Sequence, residues 1–267
     1  MSMYAAMGLT QFLSNYPGMD VYPVRGSDLR LEGVFRFSAE WKDYGLLTDA
    51  FTLQINIPEL FPKALPTVRE LDGRIPRTQE YHINQDDHSL CLGSPLRLLK
   101  AISVEPTLSG FSKRCLTPYL YAVSRKMLQG GELLFGELAH GRPGELADYL
   151  NMFGLGTNIQ VKRAIRYFGM KKRLANKLSC PCDCGRRLGV CTFNRRLRSF
   201  RLLAQRNWYR KAHSNFLESN LDKRCARSFS YVEQIVREGR LNLDEQEYAL
   251  IKGKTAPMGL RMKDYRS

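Results

Sequence analysis

No stretch of this 267-residue chain approaches the ~20 consecutive apolar residues that span a bilayer, so no membrane partner is expected. The opening MSMYAAMGLTQF has no basic start leading into a long apolar segment. Nothing there reads as a secretory signal, and a cytoplasmic location is the expectation. Internal repeats and low-complexity tracts are missing too, while 43% apolar residues is ordinary for a globular protein. Acid is lacking most unevenly. Residues 161–213 hold 16 Lys and Arg against a single acid, Asp183, and that local +15 equals the net charge of the whole chain. The rest is therefore close to neutral, and the charge is a localised field of the kind that selects a polyanionic or acidic partner. Cysteine is sparse and odd in number, at seven, yet four of them crowd into residues 180–191. In a reducing compartment that pattern points to metal rather than to disulfides.

What is present reads as strands first and helices afterwards. Residues 4–14 suggest a short opening helix, and PGMD (17–20) and RGSD (25–28) read as turns. RLEGVFRFS places Leu31, Gly33, Phe35 and Phe37 on one parity, and DAFTLQINI does the same for Phe51, Leu53, Ile55 and Ile57. That is the period of half-buried strands, and the polar stretch between them with Asp43 and Gly45 predicts an antiparallel pair. A third, proline-bounded strand follows near 66–71. Helical spacing then takes over at 107–128, where Pro118 predicts a kink or two shorter helices, and at 144–154. GLGTN (154–158) reads as a linker, 195–218 as one helix, SYVEQIVREGRL as another, and the end from about 253 as a polar tail. The order makes the fold class α+β.

The stretch YHINQDDHSLCLGSP (81–95) concentrates chemistry: His82, His88, two aspartates and Cys91. A cysteine acts as a nucleophile only as thiolate, which requires partial exposure and suitable neighbours. Taken alone, LCL also suits a small buried core residue after a polar loop. Asn84 reads as a turn residue or a hydrogen-bond donor, His82 as a packing residue under the loop, and Asp86, Asp87 and His88 as a solvated loop that could also help deprotonate an amine. His140, in LAHGRPG, sits in a glycine-rich setting without an assignable role.

Two alternating strands, Phe61-Pro62 with Pro66 after it, His82-Ile83-Asn84, a polar loop and Cys91 together resemble the ubiquitin-conjugating enzyme family over residues 28–128. The stretch is most similar to prokaryotic members, through YH…SLCLGSP, a PYLY helix and a GELAHG segment (136–141). The resemblance implies a UBC-like antiparallel meander flanked by helices, with Cys91 carrying a modifier as a thioester. It implies Asn84 as a donor to the oxyanion or to the loop, His82 as a supporting residue, and three partners: a ubiquitin-like modifier, its activating enzyme and a target protein. Its setting is bacterial conjugation and antiviral defence. The departures are that Ile83 replaces the middle proline of the family's turn, that Cys91 follows Asn84 one residue sooner than usual, that no Trp follows Cys91, and that residues 96–128 differ from the family's usual post-cysteine region.

CPCDCGRRLGVC supplies Cys180, Cys182, Cys184 and Cys191 as zinc ligands. Sulfurs on one tetrahedral zinc lie about 4 Å apart, whereas an extended Cys-x-Cys-x-Cys spreads its ends ~13 Å, so Pro181 and Gly185 must fold the segment into a knuckle. The stretch resembles the SEC-C zinc motif in Cys180, Pro181, Cys182, Gly185 and Cys191, with Thr192 at the motif's last ligand position and Cys184 at its serine. Cys184 then completes a closed, structural Zn²⁺ site; a redox cluster is the competing reading. Tyr167, Phe168, Phe193, Phe200, Trp208 and Tyr209 interleave the basic residues of 161–213, which suits nucleic acid through phosphate contacts and stacking, suits another acidic partner, or builds a core beneath a solvated face. The expected organisation is a conjugating domain over 1–155, a basic SEC-C-like module over 156–214 and a helical segment with a polar tail over 215–267. A non-catalytic nucleic-acid-binding or adaptor protein on a UBC-like scaffold is the alternative, and a cysteine hydrolase a third.

Overall fold

The computed structural model describes residues 7–23, 28–41, 44–134 and 141–218. A short helix, α1 (Leu9–Asn15), leads into a four-stranded antiparallel sheet of β1 (Met19–Tyr22), β2 (Leu29–Trp41), β3 (Gly45–Ile57) and β4 (Thr67–Glu70), ordered as in the chain. The two alternating runs form one long hairpin, from Leu29 opposite Ile57 to Trp41 opposite Gly45. Opposed residues share a face, so Leu31 with Ile55 and Phe35 with Phe51 are buried together. β1 occupies part of what reads as turn in PGMD. Only Met19 of its four residues is buried, so it carries no alternation to recognise. Two glycines admit it: Val34 N–H donates to Gly18 O at 2.8 Å, and a Cβ on Gly33 (φ 140) would stand 2.2 Å from that oxygen.

The helices follow: α2 (Pro95–Ile102), α3 (Leu108–Phe111), α4 (Thr117–Gln129), α5 (Gly141–Phe153), α6 (Asn158–Gly169), α7 (Lys172–Ala175), α8 (Phe193–Arg201) and α9 (Arg206–Glu218). Between α3 and α4 the chain widens into a π turn over Ser112–Leu116, immediately before Pro118. Proline has no N–H to give a carbonyl one turn back and crowds that carbonyl, and the wider turn absorbs both defects. Leu116, Leu120 and Val123 of this run pack on the buried face of the sheet to make the first core.

A second core joins Leu96 and Leu99 of α2 to Tyr149 and Phe153 of α5, Phe168 of α6, Phe200 of α8 and Tyr209 and Phe216 of α9. It draws on both sides of residue 155. GLGTN is the entry to α6: Thr157 and Gln160 form a capping box that satisfies N–H groups the helix leaves orphaned. The helix expected over 195–218 is two helices broken at 202–205. Tyr209 donates its hydroxyl to Phe200 O and Ala204 is buried at the bend, so the break lets both helices face the same core. The SYVEQIVREGRL helix, the polar tail and His140 lie outside the described residues.

Candidate functional site

Cys91 ends a small hairpin capping the β4 edge of the sheet. Ile83 pairs with Leu90, Ser89 pairs with Arg69 of β4, and Leu90 N–H donates to Val68 O at 2.8 Å. The tip is closed locally: Asn84 N–H donates to Ser89 O and His88 N–H to Asn84 O, each at 2.9 Å. His88 adopts φ 55, which turns the chain back within this span. Asn84 Nδ2 donates to Ser89 Oγ at 2.8 Å, and that hydroxyl donates to Asp87 Oδ1 at 2.7 Å. The Ser89 hydroxyl, helped by its backbone N–H and by Arg69 at 3.9 Å, holds the Asp87 carboxyl below the usual range. Asn84, Asp86, Asp87 and His88 are exposed, and Ser89 is buried but satisfied.

His82 enters through its backbone. It adopts φ 53 at the end of a one-turn helix over Gln79–Tyr81, and its carbonyl accepts the Cys91 N–H at 2.7 Å. Tyr119 of α4 donates its hydroxyl to Tyr81 O at 2.7 Å, and Lys126 Nζ donates to Glu80 O at 2.9 Å. The backbone that grips Cys91 is thus tied to the first core. The Cys91 side chain is half-buried. Burial pushes its thiol above the ordinary cysteine value, and a hydrogen bond with the Gly93 backbone pulls it back only in part. Burial also pushes up the Tyr119 phenol, with the neighbouring Cys91 adding to the effect. The helical spacing of 107–128 and the PYLY stretch place Tyr119 on the apolar side of a helix, but its tie to the Tyr81 carbonyl has no signal in the sequence.

Directly after Cys91, the chain is clamped to α5. The buried Asp148 carboxylate accepts hydrogen bonds from Arg97 Nε, at 2.9 and 3.0 Å, and from the Ser94 hydroxyl. Tyr149 OH accepts from Leu96 N–H at 3.1 Å and donates to Glu145 Oε1 at 2.7 Å. A buried carboxylate with several donors is stable only while those donors stay in place, so this cluster fixes the start of α2 against the second core.

The four clustered cysteines converge. Their sulfurs lie within 4.8 Å of one another, with Cys180–Cys182 at 3.1, Cys182–Cys191 at 3.7 and Cys184–Cys191 at 3.6 Å. Those separations suit one metal ion at about 2.3 Å from each sulfur, and they are consistent with zinc. Cys180 N–H donates to Arg186 O at 2.8 Å and Asp183 N–H to Cys180 O at 3.1 Å, closing the knuckle. Gly185 takes φ 76 as the bend requires, and Asp183 takes φ 57. Asp183 is the acid of the basic segment, and it is spent here: Gln160 Nε2 donates to it at 3.0 Å and Arg163 pairs with it, fastening the knuckle to α6. Burial pushes the Cys180 and Cys182 thiols up. The exposed Cys184 is pulled down to about 6, first by the Arg186 backbone and then by its cysteine neighbours.

The interleaved aromatics divide. Tyr167, Phe168, Phe200 and Tyr209 are buried, whereas Phe193 and Trp208 are half-buried. The buried four are core, unavailable for stacking on a base. Among the described residues no helix is long and apolar enough to cross a membrane. A scan against protein-family models and searches of curated proteins and of solved structures find no match.

Proposed function

We propose that the protein is a UBC-like conjugating enzyme that carries a ubiquitin-like modifier as a thioester on Cys91 and transfers it to an amine of a target protein. The observation that carries this reading is the setting of Cys91: a half-buried thiol, gripped at its backbone by the His82 carbonyl, on a capped hairpin at the edge of an antiparallel sheet. In the first step Cys91 Sγ attacks the thioester carbonyl presented by the activating enzyme. A new S–C bond forms, the old one breaks, and the departing thiolate takes the proton that Cys91 gives up. In the second step an amine attacks, an amide forms, and Cys91 leaves as thiolate and recovers a proton from the attacking nitrogen through solvent.

Exchange between two thiols is nearly balanced in free energy, so positioning is the main requirement. A thiol whose pKa is raised is also a poorer leaving group, which prolongs the thioester against water while the target docks. Asn84 has two amide N–H groups, and Ser89 occupies one; the other is the donor assigned to the tetrahedral oxyanion. His82 acts as a positioning residue through its carbonyl. Cys180, Cys182, Cys184 and Cys191 would hold a zinc ion as four thiolate ligands, and it would serve the fold rather than the chemistry at Cys91.

The test is incubation with a ubiquitin-like modifier, its activating enzyme and ATP, followed by a non-reducing gel. A thiol-sensitive adduct that disappears in Cys91→Ala and persists in Cys115→Ala is expected. An adduct unchanged in Cys91→Ala, or none with the cognate partners, overturns the reading. One observation favours the alternative of a non-catalytic nucleic-acid-binding protein: the basic surface around the knuckle, whose charge is not neutralised by acids of its own segment.

A further inference from the structure

Beside the knuckle, α7, the turn after the 3-10 segment Leu188–Val190 and the outer face of α8 enclose an open groove of about 560 Å³. Lys172, Arg195, Arg198 and Arg201 line it, with Val190 and Leu202 as its exposed apolar members. No carboxylate among the described residues pairs with these four cations. Asp183, the segment's one acid, is committed to Arg163 and Gln160 on α6. Four like charges around one concavity sum to a local positive potential that attracts an anion.

Their arrangement suits a polymer. Arg195, Arg198 and Arg201 recur every third residue of α8, so they form one row about 9 Å long at about 1.5 Å of rise per residue. A nucleic-acid strand presents a phosphate every ~3.4 Å of duplex axis, so the row spans about three successive phosphates. Arg201 is preset: its Nη1 donates to Met170 O at 3.2 Å and its guanidinium lies 5.6 Å from the Phe168 ring centre. Exposed Lys171, Arg173, Lys177, Arg186 and Arg187 extend the same sign of charge beyond the groove.

We propose that this groove binds nucleic acid through the phosphate backbone, without base stacking and without strong sequence preference. Guanidinium forks match phosphate oxygens in pairs, which favours the arginine-rich row. Among the described residues no aromatic side chain lines the groove, and Tyr167, Phe168, Phe200 and Tyr209 are buried in the second core. A protein partner fits less well, because protein interfaces centre on apolar or aromatic anchors and are depleted in lysine, and here the centre of the groove is cationic. The inference stands independently of the chemistry at Cys91.

The experiment is fluorescence anisotropy of the full-length, metal-loaded protein with a short labelled duplex of mixed sequence, titrated at increasing salt. Binding should weaken linearly in log–log form and vary little between sequences. Arg195→Gln with Arg198→Gln should weaken binding about tenfold and flatten the salt slope by about two, and Lys172→Gln alone should flatten it by about one. Metal content and melting temperature, measured on each variant, identify any loss of fold, and Lys172→Gln supplies the reading if the double variant is misfolded. Arg36→Gln, on the sheet, and Cys91→Ala should bind as wild type. Absence of binding at low salt, wild-type binding by the folded groove variants, or displacement of the duplex by polyglutamate as readily as by unlabelled duplex overturns the proposal; the last outcome assigns the groove to an acidic protein.

Discussion

At the scale of single residues, Cys91 is held rather than activated. Its thiol sits above the ordinary value because burial disfavours the thiolate, and the Gly93 backbone offsets this only partly. Reaction with iodoacetamide proceeds through the thiolate, so the rate at Cys91 should climb with pH and reach half its maximum above ~8.5, the unperturbed cysteine value. Mass mapping of the peptide containing Cys91 over a pH series measures this directly. A midpoint below that value would indicate an activating base and turn the interpretation toward a hydrolase. The sign differs at Cys184, where hydrogen bonds from the Arg186 backbone and cysteine neighbours favour the thiolate. The two cysteines therefore differ in kind: Cys91 keeps its proton, as the proposed acyl carrier requires, whereas Cys184 is poised to lose its own, as a metal ligand must.

At the scale of elements, the close approach of β1 and β2 is the most demanding local feature. Gly33 has φ 140, and an added Cβ would lie 2.2 Å from Gly18 O. Since the obstacle is backbone, relief requires separating the strands, and Gly33→Ala should destabilise the fold by about 3 kcal/mol or more, read as a lowered denaturant midpoint. Unchanged stability would mean that β1 is not held against β2 as described. The same elements show what sequence can carry. Leu31, Phe35, Phe51 and Ile55 alternate on a period of two, so β2 and β3 were legible; β1, with Met19 as its one buried residue, had no period to read. The cysteine knuckle was legible because its ligands are local. The grip on Cys91 was not, because Tyr119 reaches Tyr81 across 38 residues. The break between α8 and α9 falls on Leu202–Gln205, which contains neither glycine nor proline, and arises from the tertiary bond of Tyr209 to Phe200. Asp183, as a chain-bending residue fastened to α6, needed both its φ and its partners to be seen.

At the scale of the whole molecule, two cores meet at α2. Leu96 and Leu99 belong to the second core, whereas Ile102 belongs to the first, and Arg97 is tied to Asp148 of α5. The cysteine knuckle lies within the second core, which contains Cys180, Leu188 and Cys191. A metal there cross-links the connection between α6 and α8, and its binding energy contributes to the folding of the helices around it. Without the metal, burial keeps the Cys180 and Cys182 thiols protonated at neutral pH, so binding must displace those protons and acid must compete with the ion. Cys184, pulled down to about 6, takes up its proton at lower pH than Cys180 and Cys182 as the metal-free site is acidified. Metal should accordingly leave as pH falls through and below that region, and a chelator at neutral pH should remove it without acid. The expected outcome is a two-stage melt by circular dichroism. Chelation brings the helical transition of residues 141–218 to a lower temperature, while the sheet, whose Phe35, Phe51 and Leu116 lie in the first core, unfolds near its original temperature. Cys182→Ser should reproduce the shift with no chelator added. A single transition unmoved by chelation, with less than one metal ion bound per chain, would leave the knuckle held by packing alone.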